Sequence, residues 1–140
     1  MNNTDELKTQ IANSWLDTSL KASNVANDGL VLGIILGKND VSLRKAITGK
    51  LSAKGYQKVI NWIIARLPIT DDAFSDSLVL ETAWASYSFT YLSDYEDDDT
   101  FFDQESQFVL DLRSAFLGAR LQHVQEQQEQ AANAWFNSFN

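Results

Sequence analysis

The chain has 140 residues, 44% of them hydrophobic, a formal net charge of -8, one proline, one histidine and no cysteine. The missing cysteine excludes disulfides, thiolate metal ligands and cysteine nucleophiles, and the acidic balance disfavours direct binding to nucleic acid, whose phosphates repel it. The length suits a single domain over residues 1–140 that buries its core without covalent staples.

The first residues, Met1-Asn2-Asn3-Thr4-Asp5-Glu6, lack the basic region and apolar run of a signal peptide. The longest near-apolar stretch, Gly29 to Gly37, is nine residues, about half a bilayer span. A cytoplasmic protein that makes no membrane contact is the expectation. Residues 5–22 read as a first helix, capped by Thr4, with Leu7, Ile11, Trp15 and Leu16 at helical spacing. Asn24, Asn27, Asp28 and Gly29 read as a break.

The run 29–37 can be a short irregular or buried strand, or a buried helix, because periodicity does not separate the two. Helix is the preferred reading, since no other segment offers a strand partner. Glycines at 29, 33 and 37 would then form one flat face that admits a close neighbour. Asp40 or Ser42 starts a short helix that ends at Ile47, stopped by Gly49. Ser52 caps the next, Ala53 to Leu67, and Pro68 ends it.

A long helix follows from Thr70 or Asp71 to about Asp94. It carries two apolar stripes: Phe74, Leu78, Ala85, Phe89 and Leu92, and Leu80, Trp84, Tyr87 and Tyr91. The wide combined arc places this helix centrally, against more than one neighbour. Asp94 to Asp99 is an acidic turn. Thr100 and Asp103 stand at capping-box spacing before a last long helix, from about Phe101 to Gln130. Its core positions are Phe108, Val109, Leu112, Phe116 and Ala119, with Leu110, Leu117, Leu121 and Val124 beside them. Ala131, Trp135 and Phe139 form a terminal aromatic group. The fold class is all-α, a compact bundle of five or six helices.

Charge is split along the chain. Residues 21–66 hold eight lysines and arginines against Asp28 and Asp40, and twelve acids lie between Arg66 and Arg113 without a basic residue among them. Such an acidic block either attracts the chain's own basic half or steers a basic partner into contact.

Within the block, Asp94, Glu96, Asp98, Thr100 and Glu105 stand where an EF-hand loop places oxygen ligands, so the turn resembles such a loop over twelve residues. It departs from that pattern at the sixth position, where Asp99 replaces the glycine of the tight turn. These five residues are the candidate metal ligands. The same segment is the candidate partner surface: Asp94, Tyr95, Glu96, Asp97, Asp98, Asp99, Phe102 and Asp103, with Tyr87, Tyr91 and Phe101 as further aromatic anchors.

His123 falls on the Leu112–Phe116–Ala119 side of its helix, which points to a structural role. Glu81 lies between the two stripes of its helix, and Arg113 and Arg120 lie between the apolar groups of the last one. A partly buried structural ion pair of Glu81 with Arg113 or Arg120 is therefore expected, because a lone carboxylate there loses its hydration.

The composition and these motifs favour a small acidic binding protein that acts without a catalytic site or cofactor. It would dock on or neutralise a basic macromolecule, such as a nuclease toxin or a nucleic-acid-binding protein. Immunity proteins, inhibitors and nucleic-acid mimics share its size and charge. The alternatives are an enzyme with a carboxylate-bound metal, and an assembly subunit joined through the C-terminal aromatics.

Overall fold

A computed structural model describes residues 24–138, and the readings of 1–23 and of Phe139 lie outside it. Five α-helices and no strand occur among the described residues. Residues 24–38 form α1, followed by α2 (Asp40–Ile47), α3 (Ala53–Ala65), α4 (Ala73–Tyr91) and α5 (Asp99–Asn137). A 3-10 turn, Ser93–Tyr95, joins α4 to α5.

The glycine run is a helix, and the break read at 24–29 is absent: α1 passes through it. The physical reason is the neighbour. Gly29 lies on Thr82 and Val79, Gly33 on Ser86 and Ala83, and Gly37 on Tyr91. The order of these contacts makes α1 run parallel to α4, with the glycine face as the seam. Leu32 and Leu36 turn from that seam into the core.

Local chemistry sets the other boundaries. Gly49, at φ 70°, takes the left-handed conformation that ends α2, and the following Lys50 N–H reaches the Lys45 carbonyl at 2.9 Å. The Ser52 hydroxyl accepts from the Gly55 N–H at the start of α3. Asp72, not Thr70 or Asp71, caps α4 through the Ser75 N–H, and Asp98, not Thr100, caps α5 through the Phe101 N–H. An aspartate at these positions receives an orphan N–H and meets the positive end of the helix.

α4 and α5 are antiparallel, since Asp76 meets Arg120, Glu81 meets Arg113, and Ser88 meets Glu105. α3 packs on α5 and α2, and α2 on α5. The buried apolar residues form one cluster. Its centre is aromatic: the Trp84 ring lies 5.3 Å from both Tyr87 and Phe108, and Tyr56 meets Phe108 edge-on at 5.8 Å.

The stripe assignment on α4 is corrected. Val79, Leu80, Ala83, Trp84 and Tyr87 are buried, whereas Phe74 and Phe89 are 76% and 86% exposed and Leu78 and Ala85 are also exposed; of that stripe only Leu92, at the C-terminal cap, is buried. On α5, Phe108, Leu112 and Phe116 are buried, but Leu110, Leu117, Leu121 and Val124 face outward. Each helix thus carries two apolar stripes on opposite sides and buries one. From Val124 to Asn137 every residue of α5 is exposed, so the helix runs on past the core.

Candidate partner-binding surface

The acidic turn forms a corner at the C-terminal end of α4. Its frame is rigid. Phe101 is buried and stacks on Tyr95 with ring centroids 3.9 Å apart, and the Tyr95 N–H reaches the Leu92 carbonyl at 3.1 Å. On this frame Asp94, Glu96, Asp97, Asp98, Asp99 and Asp103 are all exposed, with Phe102 half-exposed among them.

Arg44 of α2 ties the corner to the body. Its guanidinium pairs with Asp40 at 2.7 Å, donates to the Tyr91 carbonyl, approaches Asp94 at 3.5 Å and lies over the Tyr95 ring. The hydrogen bond to Asp40 holds Arg44 protonated more firmly than a free arginine. Asp40 also accepts from the buried Tyr87 hydroxyl at 2.7 Å. Burial, reinforced by that bond, raises the Tyr87 phenol above its ordinary value. The basic and acidic halves of the chain therefore meet at Arg44, and again where the Tyr56 hydroxyl donates to Asp111.

The five candidate metal ligands do not converge. Asp94 turns to Arg44, Asp98 caps α5, and Thr100 is already inside that helix. Glu105 points away from the turn toward α4, where one oxygen accepts from Trp84 Nε1 at 3.3 Å and Ser88 Oγ at 3.0 Å. No group of three or more acids or histidines placed to hold a metal occurs among the described residues. The missing glycine explains the geometry. With Asp99 there, the chain enters α5 directly instead of wrapping back into a loop. Three of the aromatic anchors are also reassigned: Tyr87 and Phe101 are buried, and Tyr91 is half-buried and stacked on Tyr87 at 5.5 Å.

The expected buried ion pair is divided between two sites. Arg113 holds Glu81 through two hydrogen bonds of 2.8 and 3.0 Å, which keep its guanidinium more firmly protonated, but the side chains are 50% and 44% exposed. Arg120 does not reach Glu81. It pairs with Asp76 at 3.2 Å, and that carboxylate is 2% exposed. The cause is the stripe reversal: Glu81 borders the outward stripe of α4, and Asp76 lies on the buried one. A double-mutant cycle on Glu81→Gln and Arg113→Met, read by urea unfolding of the single chain at high dilution, should return a coupling of roughly 0.2–1 kcal/mol, as for solvent-exposed pairs. A coupling of several kcal/mol would show that the contact is buried in solution.

Asp76 escaped the sequence reading although its signal was present, three, four and seven residues before Val79, Leu80 and Ala83. His123 is partly buried, and its Nε2 lies 3.1 Å from the exposed Asp71, a partner that the sequence reading did not name. Hydrogen bonds from His123 and Gln127 hold the Asp71 carboxyl below the usual range. An open groove of about 200 Å³ between α2 and α3, lined by Asn39, Ser42, Leu43, Lys58, Val59 and Trp62, carries no carboxylate. No described helix is long and apolar enough to cross a membrane.

No family model, no curated protein and no solved structure matches this chain.

Proposed function

We propose that this protein is a binding protein, not an enzyme, and that it docks on a basic protein partner through the corner between α4 and α5. One observation carries the reading: six exposed carboxylates and the half-exposed Phe102 share the ten-residue segment 94–103, held by the Tyr95–Phe101 stack. Preformed acidic surfaces accelerate encounter with basic partners, and an aromatic ring at the centre of such a patch supplies the short-range contact. The inward-turned acids, Asp76 and Glu105, are occupied by Thr70, Arg120, Trp84 and Ser88. That leaves recognition to the outer ones.

The test begins with affinity capture from the native host at low and high salt, followed by binding kinetics on the captured protein. Replacing Asp97, Asp98 and Asp99 together by Asn removes three charges and keeps the α5 cap, because Asn caps about as well as Asp. Association should slow by about tenfold or more, with little change in dissociation. Phe102→Ala should act the other way and speed dissociation. A captured partner whose rates ignore both changes overturns the assignment of this surface.

A further inference from the structure

From the outward face of α1, α4 and α5 we infer that this chain self-associates as a twofold dimer, two copies meeting across that face. The inference concerns a different surface from the acidic corner and does not depend on it. On α4, Thr82 and Ser86 touch α1, and Glu81 and Ser88 touch α5. At about 100° per residue, Phe74, Leu78, Ala85 and Phe89 fill the arc between those flanks on the side opposite Val79, Ala83 and Tyr87. By the same geometry Leu110, Leu117 and Leu121 lie just past Arg113 on α5. Leu30 and Ile34 lie just past the glycine seam on α1. The three helices therefore present one face, apolar except for the Glu81–Arg113 pair that crosses it, and the core lies behind it.

Its size identifies the kind of occupant. Leu30, Ile34, Phe74, Leu78, Phe89, Leu110, Leu117 and Leu121 are between 40% and 86% exposed. At roughly 200 Å² for a fully exposed side chain of this size, they offer on the order of 1,000 Å². That exceeds the few hundred Å² typical of a monomer's largest patch and matches one side of a stable interface, about 800 Å².

Its width argues against cover by residues 1–23 alone. Three helices spaced about 8–10 Å apart make a face about 20 Å across, and one segment, even as a helix, is about 10–12 Å in diameter.

Its charge favours a second copy. The chain carries -8 overall, so two copies repel unless they meet where the field is weakest. At its centre Glu81 and Arg113 neutralise one another at 2.8 Å, while the exposed Asp99 and Asp103 continue the α5 stripe only at the end nearest the acidic corner. A centre without net charge brings no like-charge penalty to a second copy, and it gives no attraction to an anionic membrane or to a basic partner.

Sedimentation equilibrium of the full chain should give twice the 15.7 kDa of the monomer at micromolar concentration. Added salt should leave the association unchanged or strengthen it, whereas binding at the acidic corner should weaken. Phe89→Glu and Leu117→Glu should each keep the helical circular dichroism, because both side chains are outside the core, and should weaken self-association at least 100-fold.

The absence of native cysteine permits a second measurement that changes the fold little. A thiol at Ala85→Cys should react quickly in dilute protein and be protected as the dimer forms. A wild-type chain that remains monomeric through hundreds of micromolar overturns the inference. So does a dimer that survives both glutamate variants and leaves the cysteine reactive.

Discussion

Replacing Asp76 with alanine should cost the fold about 3–5 kcal/mol, the loss that follows when one partner of a buried ion pair is removed. The carboxylate is 2% exposed and fully occupied. One oxygen accepts from the Thr70 N–H at 2.7 Å and from Arg120 at 3.2 Å, and the other accepts from the Thr70 hydroxyl at 2.8 Å. Arg120 also donates to the Thr70 carbonyl. The group thus fastens the connection after α3 to the first turn of α4 and to α5. Its removal orphans a backbone N–H and leaves a guanidinium that is 13% exposed without its anion.

Asp76→Asn should lose a comparable amount, since an amide sets an NH₂ toward donors where an oxygen stood. Asp76→Leu combined with Arg120→Met should cost less than the sum of the two single changes, because the double variant leaves no unpaired charge. Urea unfolding followed by circular dichroism measures all five variants, the two single changes included. A loss below about 1 kcal/mol for Asp76→Ala would mean that water reaches the pair.

The second large effect lies at the α1–α4 seam, where two glycine-to-alanine changes should have different outcomes. A Cβ on Gly29 would stand 2.5 Å from Thr82 Cβ, an atom fixed to the α4 backbone, so the helices must part. Overpacking of this kind costs about 1–3 kcal/mol, against a helix-propensity gain of about 1 kcal/mol for replacing glycine. Gly29→Ala should therefore destabilise, and Gly29→Val more so. At Gly33 the nearest atoms are at 3.1 Å, so a shift of a few tenths of an ångström suffices and Gly33→Ala should be close to neutral. Equal effects at the two sites in thermal unfolding would show that α1 does not dock on α4 in this register.

Several local features were legible in the sequence because their causes lie within a few residues of one another. Ser52 caps α3, Gly49 closes α2, and α3 ends just before Pro68, as expected from hydroxyl capping, left-handed geometry and the proline ring. The start of α4 lies two to three residues beyond the expected Thr70 or Asp71, at Ala73. Thr70, Asp71 and Asp72 are equally good caps by composition, and Thr70 and Asp71 are engaged instead by Asp76 and by His123. Those partners are 6 and 52 residues away. The resemblance of 94–105 to a cation loop failed for a similar reason: ligand spacing is a property of the sequence, but Glu105 faces whichever neighbour the packing supplies, here Trp84 and Ser88.

The sequence by itself determined the all-helical class, the close of α2 and the cap of α3, the division of charge and the exposure of the acidic corner, since each follows from spacing, turn chemistry or hydration along the chain. Only the tertiary structure decided which apolar stripe of α4 and of α5 faces the core. Phe74, Leu78 and Phe89 are as hydrophobic as Leu80, Trp84 and Tyr87, and transfer free energy is non-directional, so periodicity cannot rank two stripes on opposite sides of one helix. The choice was made by shape. The glycine seam of α1 fits Thr82 and Ser86, and the aromatic centre of Trp84, Tyr87, Phe108 and Tyr56 closes only when α4 presents that side. Once α4 is turned so, Asp76 is carried into the core and must find Thr70 and Arg120, and Glu81 is left at the edge with Arg113. The same turn leaves an apolar face on α1, α4 and α5 outside the core.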